Sequence, residues 1–172
     1  MLHNTFCRRL AALVLTLAVA VSAVLPVFAV YPMPIQTASE TEAVYLFNAD
    51  TGKTILNQNA DQQQYVASLT KLMTALLLLE SGKDLNGEVT VPTDLTQEFK
   101  DIQNANGTTV GLRIGETVRR IDLLNALLIT SANDAASVIA SDVSGGDLTA
   151  FVARMNARAK ELGCEDTTFT CV

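Results

Sequence analysis

Tyr65-Val66-Ala67-Ser68-Leu69-Thr70-Lys71 runs straight into Leu72-Met73-Thr74-Ala75-Leu76-Leu77-Leu78-Leu79-Glu80, and the fold reading turns on this stretch. Ser68 to Glu80 reads as a helix ended by Ser81-Gly82. Between Leu72 and Leu79 every residue except Thr74 is strongly apolar, so the helix has no wet face of any width. Such a helix is expected at the centre of a domain. Ser68 and Lys71, three positions apart at its entry, share a face, and the amine can reach the hydroxyl. Desolvation and the positive end of the helix dipole both favour a neutral lysine there, able to take a proton from the serine. The same dipole stabilises an alkoxide, and the Ser68 N–H can donate to an oxyanion. A plainer reading competes: serine is a favoured helix N-cap, and a first-turn lysine can point into solvent.

Before this helix, Ala43 to Phe47 and Thr54 to Leu56 are short β-prone runs around Asn48-Ala49-Asp50-Thr51-Gly52-Lys53, which predicts a β-hairpin. After it, Lys83 to Gly115 reads mostly as loop, with a short strand at Val89–Val91 and a turn at Asn106-Gly107. Helices are expected at Ile121 to Thr130, from after Ser131-Ala132 to about Val143, and from Asp147 to Leu162, closed by Gly163. Thr167 to Val172 has strand character.

The amino terminus has Arg8-Arg9, an uncharged run from Leu10 to Val24, then Pro26 and Val27-Phe28-Ala29. This is the layout of a secretory signal peptide, residues 1–29, with Val30 as the mature terminus and 30–41 an extended lead-in. The same apolar run is long enough to be a membrane anchor. Cys7 precedes the apolar run and is badly placed for lipid attachment. On either reading the remainder, 42–172, works outside the cytoplasm. Cleavage removes Arg8, Arg9 and no acid, so 12 basic side chains become 10 against 18 acidic ones, a net charge of −8. Nucleic acid is a poor partner for that surface. Cys164 and Cys171 can pair in an oxidising compartment or remain two small hydrophobes; two cysteines without histidine make no zinc site. His3 leaves with the signal, which excludes Ser-His-Asp and Cys-His catalysis and histidine-held catalytic metals. Any hydrolase here takes lysine or carboxylate as its base, and no cofactor is called for.

Ser131-Ala132-Asn133 falls between two expected helices, where side chains stand exposed at a bend. The serine can relay a proton, and the asparagine amide can both donate to and accept from a peptide. Helix capping is the simpler role for either residue.

The stretch Tyr65 to Glu80 resembles the first motif of the low-molecular-mass penicillin-binding proteins, the serine D-Ala-D-Ala carboxypeptidases. Gly111-Leu112-Arg113-Ile114-Gly115-Glu116, Asp122-Leu123-Leu124 and Ser131-Ala132-Asn133-Asp134-Ala135-Ala136 are similar to the same family's second motif and its approach. Phe151-Val152-Ala153-Arg154-Met155-Asn156, Ala159 and Leu162-Gly163 continue the likeness, in order, over roughly residues 42–170. The resemblance implies an α+β fold, an antiparallel sheet flanked by helices with the nucleophile's helix in the middle. It implies Ser68 as acyl-ester nucleophile, Lys71 as proton acceptor, Ser131 as proton relay and Asn133 as the residue holding a peptidoglycan stem peptide. β-Lactams are then covalent inhibitors that imitate D-Ala-D-Ala. A DD-endopeptidase or a β-lactamase on the same scaffold is the alternative enzyme, and a non-catalytic product that binds cell-wall peptide is the alternative of another class. The family's Lys-Thr-Gly strand belongs beyond Val172, as do the remaining strands, and its Asn-Pro-x-Gly-Leu is not found after Thr170. Residues 1–172 by themselves are therefore expected to be the incomplete amino-terminal part of the domain and not a competent enzyme.

Overall fold

A computed structural model describes residues 41–172. The expected signal peptide and all but the last residue of the lead-in lie outside the described residues. Two compact units result, one ending at Ala60 and one from Asp61 to Val172. In the first, β1 (Val44–Asn48) pairs antiparallel with β2 (Lys53–Gln58), with a register shift between Leu46 and Phe47. The hairpin forms where expected: the Asn48 side chain accepts from the Thr51 N–H at 2.9 Å, and Gly52 supplies the positive φ of the turn.

The second unit is mainly helical. A 3-10 turn at Ala67–Leu69 leads into α1 (Thr70–Glu80), so the expected single helix is two pieces. Next come β3 (Glu88–Thr90), α2 (Thr96–Asn104), β4 (Thr117–Arg119), α3 (Arg120–Thr130), α4 (Asn133–Ser144) and α5 (Leu148–Glu161). β3 and β4 pair antiparallel, Val89 opposite Val118. Helix α2 falls inside the stretch expected to be mostly loop, and strand β4 falls between that stretch and the helix expected from Ile121. α2 has nine residues and few apolar ones, and β4 has three, so neither carries a periodic signal of useful length.

Burial corrects the sequence reading at α1. Lys71, Thr74, Ala75, Leu77 and Leu78 are buried, whereas Leu72 and Leu79 are 59% and 53% exposed. Among the described residues the central helix is instead α4, where Asp134 to Ser141 are all buried. Alanine and serine at 135–137 and 140–141 let neighbours approach this helix closely, and α1, α3 and α5 all pack on it. Within the unit from Asp61 to Val172, the apolar side chains of α1 are therefore covered on one face only.

The core runs through Leu78, Val91, Leu95, Leu123, Leu127, Val138 and Ile139, with Leu77, Ala140, Phe151 and Met155 beside it. Two ion clusters pin its edges. Arg158 of α5 forks onto Glu80 at the end of α1, with its shortest contact at 2.7 Å. Asp142 of α4 accepts from Arg120 at 2.8 and 3.1 Å and from Lys83 at 3.3 Å. Burial works against charge on Asp142, but the hydrogen bonds and charges of Arg120 and Lys83 outweigh it and hold its pKa below the usual value.

Thr167 to Val172 is not a strand. The Asn156 side chain occupies the backbone of Phe169, donating to its carbonyl at 2.9 Å and accepting from its N–H at 2.7 Å. A side-chain amide thus stands where a neighbouring strand would pair. Cys164 and Cys171 are unpaired and exposed.

Candidate active site

Four side chains singled out from the sequence line one cavity of about 280 Å³: Ser68, Lys71, Ser131 and Asn133. Ala67, Thr70, Thr108, Cys171 and Val172 complete its wall. A recess at residues 111–116 has none of these lining residues.

Ser68 sits in the 3-10 turn and is exposed. It is not an N-cap: Val66 holds that position, without a side-chain bond. A 3-10 turn eclipses positions three apart, which keeps Ser68 and Lys71 on one side. Ala67 has φ +46°, a left-handed conformation that a residue with a Cβ adopts at a cost of about 1–3 kcal/mol. That kink, closed by the Leu69 N–H on the Val66 carbonyl at 3.0 Å, projects Ser68 in front of α1.

Lys71, in the first turn of α1, is only 8% exposed. Burial pushes its pKa below the ordinary lysine value of 10.5, partly opposed by the charge interaction with Cys171. The expected solvent-pointing alternative therefore does not hold for this lysine.

Ser131 has φ +59° and ends α3 in the left-handed conformation usual for a C-terminal glycine. Its N–H returns to the Ala126 carbonyl, and the turn sends its hydroxyl to Ser68, Oγ donating to Oγ at 2.9 Å. Asn133 opens α4 and its N–H donates to the Thr108 carbonyl at 2.8 Å. The cap of α4 is Ala132, with no side-chain bond, so neither Ser131 nor Asn133 caps that helix with its side chain. Thr108 is the wall residue that sequence reasoning passed over. Asn106-Gly107 marks the turn before it, but nothing local shows that the turn meets residue 133.

A serine with a second hydroxyl on its oxygen and a desolvated amine in the same cavity is an arrangement suited to acyl transfer without histidine. The described fold is α+β, with short antiparallel strands beside packed helices, and it is the fold of the penicillin-binding DD-peptidases. It matches the crystal structure of the Streptomyces K15 DD-transpeptidase with a TM-score of 0.65 at 30% identity, covering 74% of this chain and 50% of that one. Penicillin-binding protein 5 of Haemophilus influenzae matches with a TM-score of 0.58 at 30% identity, over 70% of this chain and 35% of that one. Residues 31–172 match the D-alanyl-D-alanine carboxypeptidase family, Peptidase S11, and the chain belongs to it.

Among curated relatives, the D-alanyl-D-alanine carboxypeptidase DacF of Bacillus subtilis is 33% identical over 134 residues, 78% of this chain and 33% of its own length. A D-alanyl-D-alanine endopeptidase of Pseudomonas aeruginosa is 35% identical over 155 residues, 90% of this chain and 47% of its own length. The chain thus spans between a third and a half of the length of these relatives.

Proposed function

We propose that these residues belong to a serine-type D-Ala-D-Ala carboxypeptidase that removes the terminal D-alanine from peptidoglycan stem peptides outside the cytoplasm. The observation that carries the reading is the Ser131–Ser68 hydrogen bond inside a cavity that also holds Lys71. Ser131 donates in that bond, which leaves the Ser68 proton free to pass to a neutral Lys71 as Ser68 Oγ attacks the carbonyl of the penultimate D-alanine. The new Oγ–C bond forms the tetrahedral intermediate. Collapse breaks the C–N bond, and the proton held by Lys71 travels through Ser131 to the departing amine of the terminal D-alanine. Water then attacks the ester, and Ser68 regains its proton. The Asn133 amide offers a donor and an acceptor to the stem peptide. A β-lactam, with its strained amide in place of the D-Ala-D-Ala bond, acylates the same serine.

A second reading is favoured by the endopeptidase name of two relatives, 35% and 32% identical. In that case the leaving amine belongs to a neighbouring stem's side chain and not to free D-alanine. The two separate by product: the full-length protein given a pentapeptide and a cross-linked dimer releases D-alanine from the first if it is a carboxypeptidase. Cleavage of the dimer alone would replace the proposal with the endopeptidase, and rapid penicillin hydrolysis would replace it with a β-lactamase.

A further inference from the structure

The loop at residues 107–112 and the start of α4 hold each other by hydrogen bonds that run both ways. The Asn133 N–H donates to the loop at the Thr108 carbonyl, 2.8 Å away. In return Asp134, 2% exposed, accepts three successive loop N–H groups: Val110 on Oδ1 at 3.2 Å, then Gly111 and Leu112 on Oδ2, each at 3.0 Å. The Ala135 N–H adds a fourth bond to Oδ1 at 3.0 Å. Asp134 lies in the first turn of α4. Residues 108–113 form no helix or strand of their own, so this carboxylate supplies much of what fixes their path.

The loop also passes very close to the Asn133 side chain. A Cβ placed on Gly107 would lie 2.9 Å from Asn133 Nδ2, 2.9 Å from Ile102 Cγ2 and 3.1 Å from the Ile102 carbonyl oxygen. Glycine is what allows this approach.

We infer that Asp134 is a positioning residue for the candidate active site: by clamping the 110–112 backbone it seats the loop on α4, and the close pass at Gly107 fixes the Asn133 amide. Thr108, held between these two contacts, is set in the cavity wall by the same clamp. Asp134 does not line the cavity, so its effect on chemistry passes through Asn133. The inference rests on the substrate-holding role proposed above for Asn133. Asparagine at 134 keeps the shape, but whichever way its amide is turned, two of the four N–H donors face an NH₂ group.

The test compares Asp134→Asn and Gly107→Ala in the full-length protein, each alone and combined with Asn133→Ala. Selective ¹⁵N NMR follows the 110–112 amides and the Asn133 side-chain NH₂, and a fluorescent penicillin measures acylation. Both variants should move the Asn133 NH₂ signals. Both should lower acylation by about 10²-fold, as a misplaced binding group does. In the Asn133→Ala background neither should lower it further, because the residue they act through is gone. Gly107→Ala leaves the Asp134 carboxylate in place, so it carries the test if Asp134→Asn fails to fold. Asn133 signals that stay put in both variants, or rate losses that multiply with Asn133→Ala, overturn the inference. A wild-type protein that penicillin does not acylate sinks the functional reading, and the NMR comparison still decides the positioning.

Discussion

Ser131 Oγ donates to Ser68 Oγ at 2.9 Å across 63 positions of sequence, and both residues owe their places to left-handed backbone at a non-glycine residue. At Ser131 that residue is the serine itself. Before Ser68 it is Ala67.

Glycine would suit position 131 better as backbone, since its missing Cβ removes the left-handed penalty of about 1–2 kcal/mol. Its greater freedom in the unfolded chain offsets part of that gain. Ser131→Gly is therefore expected to leave the melting temperature unchanged or raised while slowing acylation by about 10²–10⁴-fold, as loss of a proton-transfer group does. Melting and labelling of the same sample check this, and a destabilised variant with normal labelling would make Ser131 a structural residue.

Lys71 gives a prediction in pH. With its folded pKa below 10.5, the folded protein binds fewer protons than the unfolded chain between those two values. Its stability cost is therefore fully present below the folded pKa and disappears as pH rises toward 10.5. Lys71→Met should stabilise the protein at neutral pH, with the gain fading at alkaline pH. In the wild type, acylation should rise with pH to a midpoint below 10.5, and the variant should lose that rise with most of the rate. Denaturant melts and acylation rates across pH provide the comparison.

Asp142 behaves oppositely. Its lowered pKa means that its contribution to stability is complete above the ordinary aspartate value of 3.8 and is lost as pH falls through the lower folded value. Asp142→Asn leaves Arg120, 14% exposed, without its carboxylate, and should cost about 3 kcal/mol in urea melts at pH 7. The variant should also lose the part of the wild type's sensitivity to acid below 3.8 that comes from Asp142.

What the sequence made legible follows from the reach of each signal. The hairpin, α3, α4 and α5 came from turn residues and long apolar patterns, and Ser68, Lys71, Ser131 and Asn133 came from two short motifs that only the resemblance to the serine D-Ala-D-Ala carboxypeptidases made specific. Burial was harder to read. Leucine at 72 and 79 looks like core, yet those residues lie on an uncovered face of α1, while alanine and serine make α4 the buried helix. Thr167 to Val172 has the composition of a strand, but composition does not reveal that Asn156 will claim the Phe169 backbone. Thr108 and Asp134 escaped for the same reason, since each acts through contacts made only after the chain has folded.

Peptide mapping by mass spectrometry, after the full-length protein meets benzylpenicillin, locates the residue that is acylated. The expected result is a single penicilloyl adduct on Ser68, absent in Ser68→Ala and formed far more slowly in Lys71→Ala. An adduct on another residue, or labelling that survives Ser68→Ala, would contradict it.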